Sequence, residues 1–353
     1  MHPFIEEIEQ ERKWSRKFLP HSKKVPRVSN LSQSQLDNFL CKDGYGIPFI
    51  VTDATDGWPC METWSFSWLK EKVGDHIVTT YASIDSNVHM RGALRDYIDY
   101  IVQPAEIRPN VPNGFQYINP DSGEVITTAG EDADGPQYLV AWDLEEVAPL
   151  ANDFQQPYFM HGRNLLDQLY PVTKRALFNK HTWIFVGPAG SLSQLHNDHD
   201  HVHTYVAQVI GRKHFILFSP ADAALLAQVD YLGHTISRTA VNPLNPDLER
   251  FPNFYKAKPY ECTIEKGDLL FLPSSWLHYA LGLEAGITVS KDSVDYHNFG
   301  KWFQSIAVDK LPNLMLRVSN HKSFESFPYA PAWINQLRQD CEAMNWLQRC
   351  LRS

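Results

Sequence analysis

The sequence predicts a mainly β protein, in which a sandwich or barrel of short strands is flanked by helical segments. Between about residues 180 and 295, short apolar runs alternate with turn signals, as in HTWIFVG, HFILFSP and LLFLP. This spacing is typical of a sandwich or barrel and not of a helical bundle. The composition, with 43% hydrophobic residues, ten Trp and nineteen Phe, indicates a substantial packed core.

The chain divides into three predicted segments. Residues 1–24 are polar and charged, which indicates an N-terminal arm with a helical start. Residues 25–300 form the predicted main domain, with the barrel core at about 180–300. Residues 301–353 have helical texture and one apolar stripe: Trp333, Leu337, Met344, Leu347 and Leu351. That stripe is compatible with a homodimer interface and equally with packing onto the chain's own barrel.

Local signals outside the barrel predict individual elements. Ser32 and Gln35 have the spacing of a capping box, which predicts a short helix after them. The apolar run Pro48–Thr52 predicts a buried strand. Residues 104–136 are rich in Pro, Gly and acidic residues, so we expect a long surface loop there.

A short connection links two of the barrel strands. Gly211 and Arg212 separate the apolar run Val206–Ile210 from the run Lys213–Phe218. A two-residue connection with Gly in its first position is typical of a type II′ turn. The sequence therefore predicts a tight hairpin whose second strand begins at Lys213.

Charge and composition exclude several function classes. The net charge is −9, whereas binding of a phosphate backbone needs clustered Lys and Arg, so no nucleic-acid partner is expected. No apolar run approaches 18 residues and the N-terminus lacks a signal-like apolar stretch, so no membrane partner is expected. The five cysteines show no C-x-x-C spacing, which predicts reduced thiols in a soluble, intracellular, cytoplasmic protein, with a nuclear location left open.

The segment from Ser193 to His203 carries the clearest chemical signal. His196 and Asp198 form the only His-x-Asp or His-x-Glu pair in the chain. Residues i and i+2 of a strand point to the same face, so both side chains can reach one ion. His278, which follows the apolar run Leu269–Leu272, is the best candidate for a third ligand from another strand. Two imidazoles and one carboxylate on one face are the ligand set of non-haem Fe(II) oxygenases.

Other interpretations of these histidines remain open. His199, His201 and His203 could bind zinc, lie on the surface, or support the iron ligands from behind. His278 alone would more often be an ordinary buried histidine. The combination of His196, Asp198 and His278 with the features below favours a metal site.

Lys213 is the candidate for holding an anion beside that metal. If its strand neighbours a metal-binding strand, the ammonium points into the barrel, where a buried cation is costly unless it is paired. The distal carboxylate of 2-oxoglutarate would supply that pair, helped by a hydroxyl group of Ser193, Thr204 or Tyr138. The alternative is a solvent-facing lysine in a tight turn.

The ordered motifs resemble the JmjC oxygenases, in particular the cupin-like branch that contains the HIF asparaginyl hydroxylase, factor inhibiting HIF. The resemblance covers roughly residues 25–300. It implies a double-stranded β-helix, the cupin or jelly-roll barrel of the JmjC type, which would form a JmjC/cupin-like catalytic domain. The motifs that carry it are the His196/Asp198 pair, Ala207–Lys213, Ile216–Pro220, Asn245–Phe254, Gly267–Asp268 and the spacing of Pro273, Trp276 and His278.

By this resemblance, His196, Asp198 and His278 bind Fe(II), and Lys213 binds 2-oxoglutarate with help from Ser193 and Tyr138. Thr204 and Asp292 fall at or near positions where the family carries Asn residues, the second of which helps to hold the co-substrate. The implied activity is that of an Fe(II)- and 2-oxoglutarate-dependent dioxygenase, which uses O₂ to hydroxylate a protein or peptide side chain and releases succinate and CO₂.

Two departures and three alternatives accompany this expectation. The segment between Asp198 and Lys213 is two residues longer than in the asparaginyl hydroxylase, and an acid at Asp292 would repel the co-substrate unless it is protonated or turned away. The alternatives are an N-methyl demethylase, a metal-dependent cupin enzyme that does not use 2-oxoglutarate, and a non-catalytic binding module. Arg238 and residues 234–254 are predicted to border the substrate groove.

Overall fold

The structure, a computed structural model, describes residues 19, 21–81, 89–119, 124–126, 136–144, 147–167, 182–226, 229–230 and 237–305. Seventeen strands and five α-helices have both ends within these residues. The helices are α1 Gln33–Cys41, α2 Pro59–Thr63, α3 Phe66–Val73, α4 Leu94–Ile101 and α5 Phe299–Gln304. The strands are β1 Lys23–Lys24, β2 Arg27–Val28, β3 Phe49–Val51, β4 Ile77–Tyr81, β5 His89–Ala93, β6 Gln116–Ile118, β7 Leu139–Asp143, β8 Thr182–Gly187, β9 Leu192–His196, β10 His203–Ile210, β11 Lys213–Phe218, β12 Val229–Asp230, β13 Ser237–Arg238, β14 Tyr260–Ile264, β15 Leu269–Leu272, β16 Leu277–Gly282 and β17 Gly286–Ser293.

Most of the strands form two seven-stranded sheets. The strand order is β1-β14-β11-β16-β9-β13-β12 in the first sheet and β2-β3-β15-β10-β17-β8-β7 in the second. Strands β4, β5 and β6 form a third, smaller sheet. Consecutive strands therefore alternate between the two large sheets from β8 to β11 and again from β14 to β17. This is the double-stranded β-helix that the sequence predicts, and the predicted fold class is confirmed.

The alternation of side chains explains why the strands pack in this way. Along β11, Phe215 and Leu217 belong to the cluster between the two sheets, whereas Ile216 and Phe218 belong to the cluster on the outer face. Along β16, Ala280 faces the interior while Leu277 and Tyr279 face outward. Apolar side chains therefore cover both faces of this sheet. The few polar side chains that point between the sheets lie in an apolar interior and are candidates for function.

Helices cover the outer face of the second sheet. Leu36 and Leu40 of α1, Leu69 of α3 and Tyr97 of α4 are buried in one large cluster with strand residues such as Val289. The helix α1 begins as the sequence predicts, because Ser32 and Gln35 form a complete capping box. Strand β3 lies within the predicted strand Pro48–Thr52.

The predicted hairpin at Gly211 and Arg212 is wrong. Strand β10 pairs with β15 and β17, whereas β11 pairs with β14 and β16, so the two strands lie in different sheets. The glycine is still required, because its φ is +75° and a Cβ there would lie 2.4 Å from the carbonyl oxygen of Ala285. The connection therefore carries the chain across the barrel and does not fold it back within one sheet.

Several predictions fall outside the described residues. These are the homodimer stripe on 301–353, most of the arm 1–24, and much of the loop 104–136, where β6 is the one strand described. The two lysines of β1 pair with β14, so the end of the predicted arm joins a sheet. In the described part of the chain, no helix combines the length and the apolar character needed to cross a membrane.

Candidate metal centre

Three side chains converge where two strands of the first sheet end. His196 is the last residue of β9, and Asp198 follows it in extended backbone. His278 lies on β16 directly opposite His196 in the antiparallel pairing. The Asp198 Oδ1 atom lies 4.0 Å from His196 Nε2 and 3.7 Å from His278 Nε2. One potential ligand atom from each residue lies within 4.8 Å of the other two, so the three can bind one ion.

Each of the three groups has one atom held by the protein and one left to face the ion. His196 Nδ1 lies 2.6 Å from the carbonyl oxygen of Gln194, and His278 Nδ1 lies 3.3 Å from that of Trp276. Since a carbonyl oxygen only accepts, each Nδ1 donates its hydrogen and each Nε2 keeps a lone pair for a metal. Asp198 Oδ2 accepts from the Thr204 hydroxyl at 2.5 Å, which leaves Oδ1 for the ion.

The electrostatic state of these residues suits a divalent cation. Burial and the adjacent His278 ring lower the pKa of His196 to about 4, so this imidazole is neutral at neutral pH. Burial opposes ionisation of Asp198, but the two imidazoles and Thr204 outweigh it and lower the pKa of this carboxyl below its ordinary value. A metal ion needs a neutral imidazole and an ionised carboxylate, and these are the forms that the environment favours.

An irregularity in β9 explains how Ser193 reaches the same cavity as His196. His278 pairs with His196, but Ala280 pairs with Ser193, so β9 has one residue more than β16 over this stretch. Such a bulge places residues three apart on one face. Leu195, between them, is buried in the outer cluster instead. Sequence periodicity alone would have put Ser193 and Leu195 on the same side.

The histidines after Asp198 hold the loops around the site. His201 Nδ1 lies 2.9 Å from the hydroxyl of Ser275, and His203 Nδ1 accepts from the backbone nitrogen of Ser274 at 2.8 Å. Asp200, His201 and Ser275 all have positive φ, between 54° and 68°. These strained turns lie next to Asp198 and just before His278, where the contacts with Ser274 and Ser275 hold them. His201 and His203 therefore support the loops that carry the site.

His199 lies on the other side of this turn from those contacts in the sequence, directly after Asp198. Its Nε2 atom is 3.8 Å from Asp292 Oδ2.

Lys213 lies at the other end of the same cavity. Its side chain is buried, and Nζ donates to the Tyr138 hydroxyl at 3.0 Å. The rings of Tyr138 and Phe185 lie 5.5 and 5.7 Å from Nζ. Within the described residues, no carboxylate lies within 4.0 Å of this ammonium. A buried cation without a carboxylate partner indicates a place for an anion.

Tyr138 is itself held by a buried tyrosine of α4. The Tyr97 hydroxyl lies 2.9 Å from the carbonyl oxygen of Gln137 and accepts from the backbone nitrogen of Leu139 at 3.1 Å. The same hydroxyl lies 2.8 Å from the carbonyl oxygen of Val186 in β8. These contacts fix the backbone on both sides of Tyr138, so its hydroxyl is directed at Lys213 by the fold.

The cavity that joins these groups contains seven of the eight residues predicted from the sequence. His196, Asp198, His278, Lys213, Ser193, Thr204 and Tyr138 all line it. With its mouth, it holds about 440 Å³ of space that protein atoms do not fill. Asp292 does not line the cavity.

Asp292 lies behind Thr204, its partner across strands β17 and β10. Thr204 Oγ1 is 3.2 Å from Asp292 Oδ1, but its single hydrogen serves Asp198 at the shorter distance. Burial raises the pKa of Asp292 well above its ordinary value, and the nearby Asp198 adds to that rise although His199 opposes it. When Asp292 is protonated, its carboxyl group can donate a hydrogen bond to Thr204 Oγ1. A protonated Asp292 carries no charge, so it does not repel the co-substrate as the sequence led us to expect.

Sequence reasoning missed the residues that form the walls between the metal and Lys213. They come from five strands, and all but Phe185 could have been found by counting in twos along the strand from a predicted site residue. These wall residues are Phe185, Val206, Phe215, Ala280, Thr288 and Ser290. Arg238, predicted to border the substrate groove, lies on β13 in register with His196.

The donor set and the ammonium, which has no carboxylate partner among the described residues, fit two further groups, a metal ion and a dicarboxylate. Two imidazole nitrogens and one carboxylate oxygen on one side of an ion leave its other side open, as in Fe(II) oxygenases. The ammonium of Lys213 in the same cavity fits the far carboxylate of a dicarboxylate that reaches the metal. The residues present therefore fit Fe(II) together with 2-oxoglutarate.

The fold and this site define the class of protein. Residues 38–297 match the family model described as the cupin-like domain, which is well over half of the chain. The chain belongs to the cupin-like domain family. This confirms the resemblance at the level of the family, whereas the narrower resemblance to the branch of the asparaginyl hydroxylase stays a prediction.

The chain is similar to proteins named for tRNA wybutosine synthesis and to proteins named as demethylases. The chain is 31% identical over 239 residues to tRNA wybutosine-synthesizing protein 5 of Danio rerio, covering 66% of this chain and 64% of that protein. It is 27% identical over 270 residues to the Homo sapiens protein of the same name, covering 75% and 76%. Lysine-specific demethylase 8 of Danio rerio is 28% identical over 291 residues, covering 78% and 60%. The alignments thus span less than two thirds of both Danio rerio proteins.

Proposed function

We propose that this protein is an Fe(II)- and 2-oxoglutarate-dependent dioxygenase. The observation that supports this most directly is one cavity with a metal-binding triad at one end and a buried, carboxylate-free lysine at the other. The triad alone would suit other metal-dependent cupin enzymes. Lys213 favours 2-oxoglutarate, because an enzyme without a dicarboxylate co-substrate has no need of a buried ammonium there.

Each residue has a role in this proposal. His196 Nε2, His278 Nε2 and Asp198 Oδ1 hold the iron, and Lys213 with the Tyr138 hydroxyl binds the far carboxylate of the co-substrate. When bound, iron and 2-oxoglutarate supply the oxidation of a substrate C–H bond by O₂, with release of succinate and CO₂.

The remaining groups of the cavity support these ligands. Thr204 keeps Asp198 turned so that one oxygen faces the ion. Ser193 adds a hydroxyl group at the wall of the cavity. Phe185, Val206 and Phe215 keep water away from the region between the metal and Lys213.

The proposed substrate is a side chain of a protein or peptide, which the enzyme hydroxylates. The net charge of −9 favours a basic peptide over a phosphate backbone. A relative named as a lysine-specific demethylase supports the alternative of N-methyl demethylation, which begins with the same attack on a C–H bond. Another relative is named for tRNA wybutosine synthesis, so tRNA is the alternative substrate to test. Turnover of tRNA in place of peptides would contradict the proposed peptide substrate.

The setting of the enzyme is also part of the proposal. Cys41, Cys60 and Cys262 are free thiols, which supports an intracellular, cytoplasmic protein. A homodimer formed through residues 301–353 would be detected by mass measurement at dilute concentration.

The proposal is tested by coupled turnover. Purified protein with Fe(II), 2-oxoglutarate and O₂ is presented with three substrate pools: unmodified basic peptides, N-methylated peptides and bulk tRNA. Succinate release above the substrate-free rate and a mass change of +16 on an unmodified peptide are expected, whereas formaldehyde release from methylated peptides would favour demethylation.

Matched variants test whether His196 and Asp198 are needed for iron binding and succinate release. His196→Ala and Asp198→Ala should lose both bound iron and succinate release, whereas His161→Ala, an exposed histidine outside the cavity, should keep both. Iron content and 2-oxoglutarate consumption that survive in both triad variants would overturn the assignment. Iron binding without any 2-oxoglutarate consumption would favour a different metal-dependent cupin enzyme or a non-catalytic module.

A further inference from the structure

A second cavity lies at the edge of the first sheet and shares no lining residue with the metal centre. With its mouth, it holds about 760 Å³ of unfilled space, more than the cavity at the metal. Its lining comes from β1, the turn after α1, the segment after β11 and the approach to β14. The lining includes three lysines and three aromatic residues: Lys23, Lys256, Lys258, Tyr45, Tyr260 and Trp276.

Aromatic rings form much of this cavity. Trp276 is buried with 2% exposure, and the rings of Tyr45 and Tyr260 lie 6.1 and 5.5 Å from it. Both tyrosines are half-buried. Partly open aromatic faces beside a buried indole offer a flat, apolar surface on which a planar ring can pack.

The polar groups of the cavity are mostly donors. Lys23, Lys256 and Lys258 line it, and in the described part of the chain none of the three has a carboxylate within 4.0 Å. Trp276 Nε1 is buried without a hydrogen-bond partner. An indole N–H can only donate, so leaving it unpaired is costly unless an acceptor binds there.

The two acids that line the cavity do not cancel this character. Asp222 Oδ2 already lies 3.1 Å from the Ser219 hydroxyl and 3.4 Å from the backbone nitrogen of Lys258, both of which donate to it. Asp43 is exposed. Three lysines against two acids leave an excess of positive charge, in a chain that is acidic as a whole.

We infer that this second cavity is a binding site for an organic phosphate that carries a planar ring, the chemistry of a nucleoside monophosphate. The ring packs among Tyr45, Tyr260 and Trp276, and the phosphate is bound by lysines from β1 and from the segment before β14. A phosphate accepts several charge-assisted hydrogen bonds at once, which suits lysines from separate elements. The inference does not depend on the reaction at the metal centre.

The test uses the full-length protein and three probes: adenosine 5′-monophosphate, inorganic phosphate and adenosine. Isothermal titration calorimetry at low salt should show saturable binding of the monophosphate and much weaker binding of the two fragments. In the same titration followed by NMR, the indole N–H signal of Trp276, assigned with Trp276→Phe, should shift.

Variants locate the binding. Lys23→Gln combined with Lys258→Gln should weaken monophosphate binding by at least about tenfold. The pair Lys23→Arg and Lys258→Arg should retain it, and Lys70→Gln, an exposed lysine that pairs with Asp99 elsewhere, should leave it unchanged. A melting curve of each variant checks that it is folded.

Three results would overturn the inference. These are no saturable binding up to about 10 mM monophosphate, equal binding by the Gln pair and the unchanged protein, and binding of inorganic phosphate or adenosine as tight as that of the monophosphate.

Discussion

The hydroxyl of Thr204 lies 2.5 Å from Asp198 Oδ2, the carboxylate oxygen that does not face the proposed iron. Thr204 also sits across the sheet from Asp292, so it lies between the metal ligand and a buried acid. The orientation of Asp198 therefore depends on a residue that binds no metal, and the first prediction follows from this contact.

Replacing Thr204 with Val should weaken metal binding by about tenfold to 100-fold, because Asp198 loses the hydrogen bond that holds Oδ2. Anaerobic titration with Fe(II) or Co(II) measures the affinity. Thr204→Ser keeps the hydroxyl and should bind metal nearly as well as the unchanged protein. Equal affinities in the Val and Ser variants would show that the contact does not position the ligand.

Lys213→Met should weaken the binding of 2-oxoglutarate without lowering the free energy of unfolding. Loss of the ammonium should weaken 2-oxoglutarate binding to the Fe(II) protein by about 100-fold, since a buried carboxylate would lose its charged partner. The free energy of unfolding of the ligand-free protein should stay unchanged or rise, because a buried cation without a carboxylate is removed. The visible charge-transfer band measures the first quantity and urea unfolding the second.

Lys70→Met, an exposed lysine far from the cavity, is the control for that experiment. It should change neither quantity. A Lys213→Met protein that binds 2-oxoglutarate with undiminished affinity would contradict the role assigned to this ammonium.

Asp295 should make the fold sensitive to acid. Burial opposes its ionisation, but His203, the backbone nitrogen of His297 and Arg163 lower the pKa of Asp295 to about 2. A carboxyl whose pKa falls on folding contributes stability that is fully present above about pH 4 and is lost as the pH falls towards 2. The shift corresponds to about 2 kcal/mol.

The variant Asp295→Asn tests this contribution. It should lower the free energy of unfolding near neutral pH by about 2 kcal/mol, because Arg163 and His203 lose an ionised partner while Arg163 keeps Asp37. Its stability should also fall less steeply between pH 4 and 2, as urea unfolding at several pH values would measure. Asp75→Asn, at a carboxylate that is 90% exposed, is the control and should leave the pH dependence as it is.

Gly211→Ala should destabilise the crossing between the two sheets. The positive φ disfavours Ala, and the new Cβ would meet the carbonyl oxygen of Ala285, so a loss of about 1 to 3 kcal/mol is expected in thermal or urea unfolding. Gly300→Ala is the matched control, because it lies in α5 and a Cβ there meets nothing within 4 Å. That change should stabilise the protein by up to about 1 kcal/mol. A neutral effect at Gly211 would contradict the described crossing.

The sequence allowed the fold class and most residues of the candidate site to be predicted, because both depend on local patterns. The capping box at Ser32 and Gln35 acts over a few residues and is confirmed. His196 and Asp198 lie together as their spacing predicts, and their role as metal ligands stays a prediction. The hairpin predicted at Gly211 is wrong, since a strand–Gly–strand signal does not tell whether the next strand joins the same sheet. The bulge that brings Ser193 into the cavity depends on pairing with β16, and no local pattern in β9 indicates it.

The pairing of His196 with His278 has a consequence for assembly. The two imidazoles belong to neighbouring strands that are distant in the chain, with the six strands β10 to β15 between them in the sequence. The candidate ion-binding pocket is therefore complete only when these two strands have paired. An ion bound by His196 and His278 would link the two strands directly. Release of the ion and separation of the two strands would then be coupled.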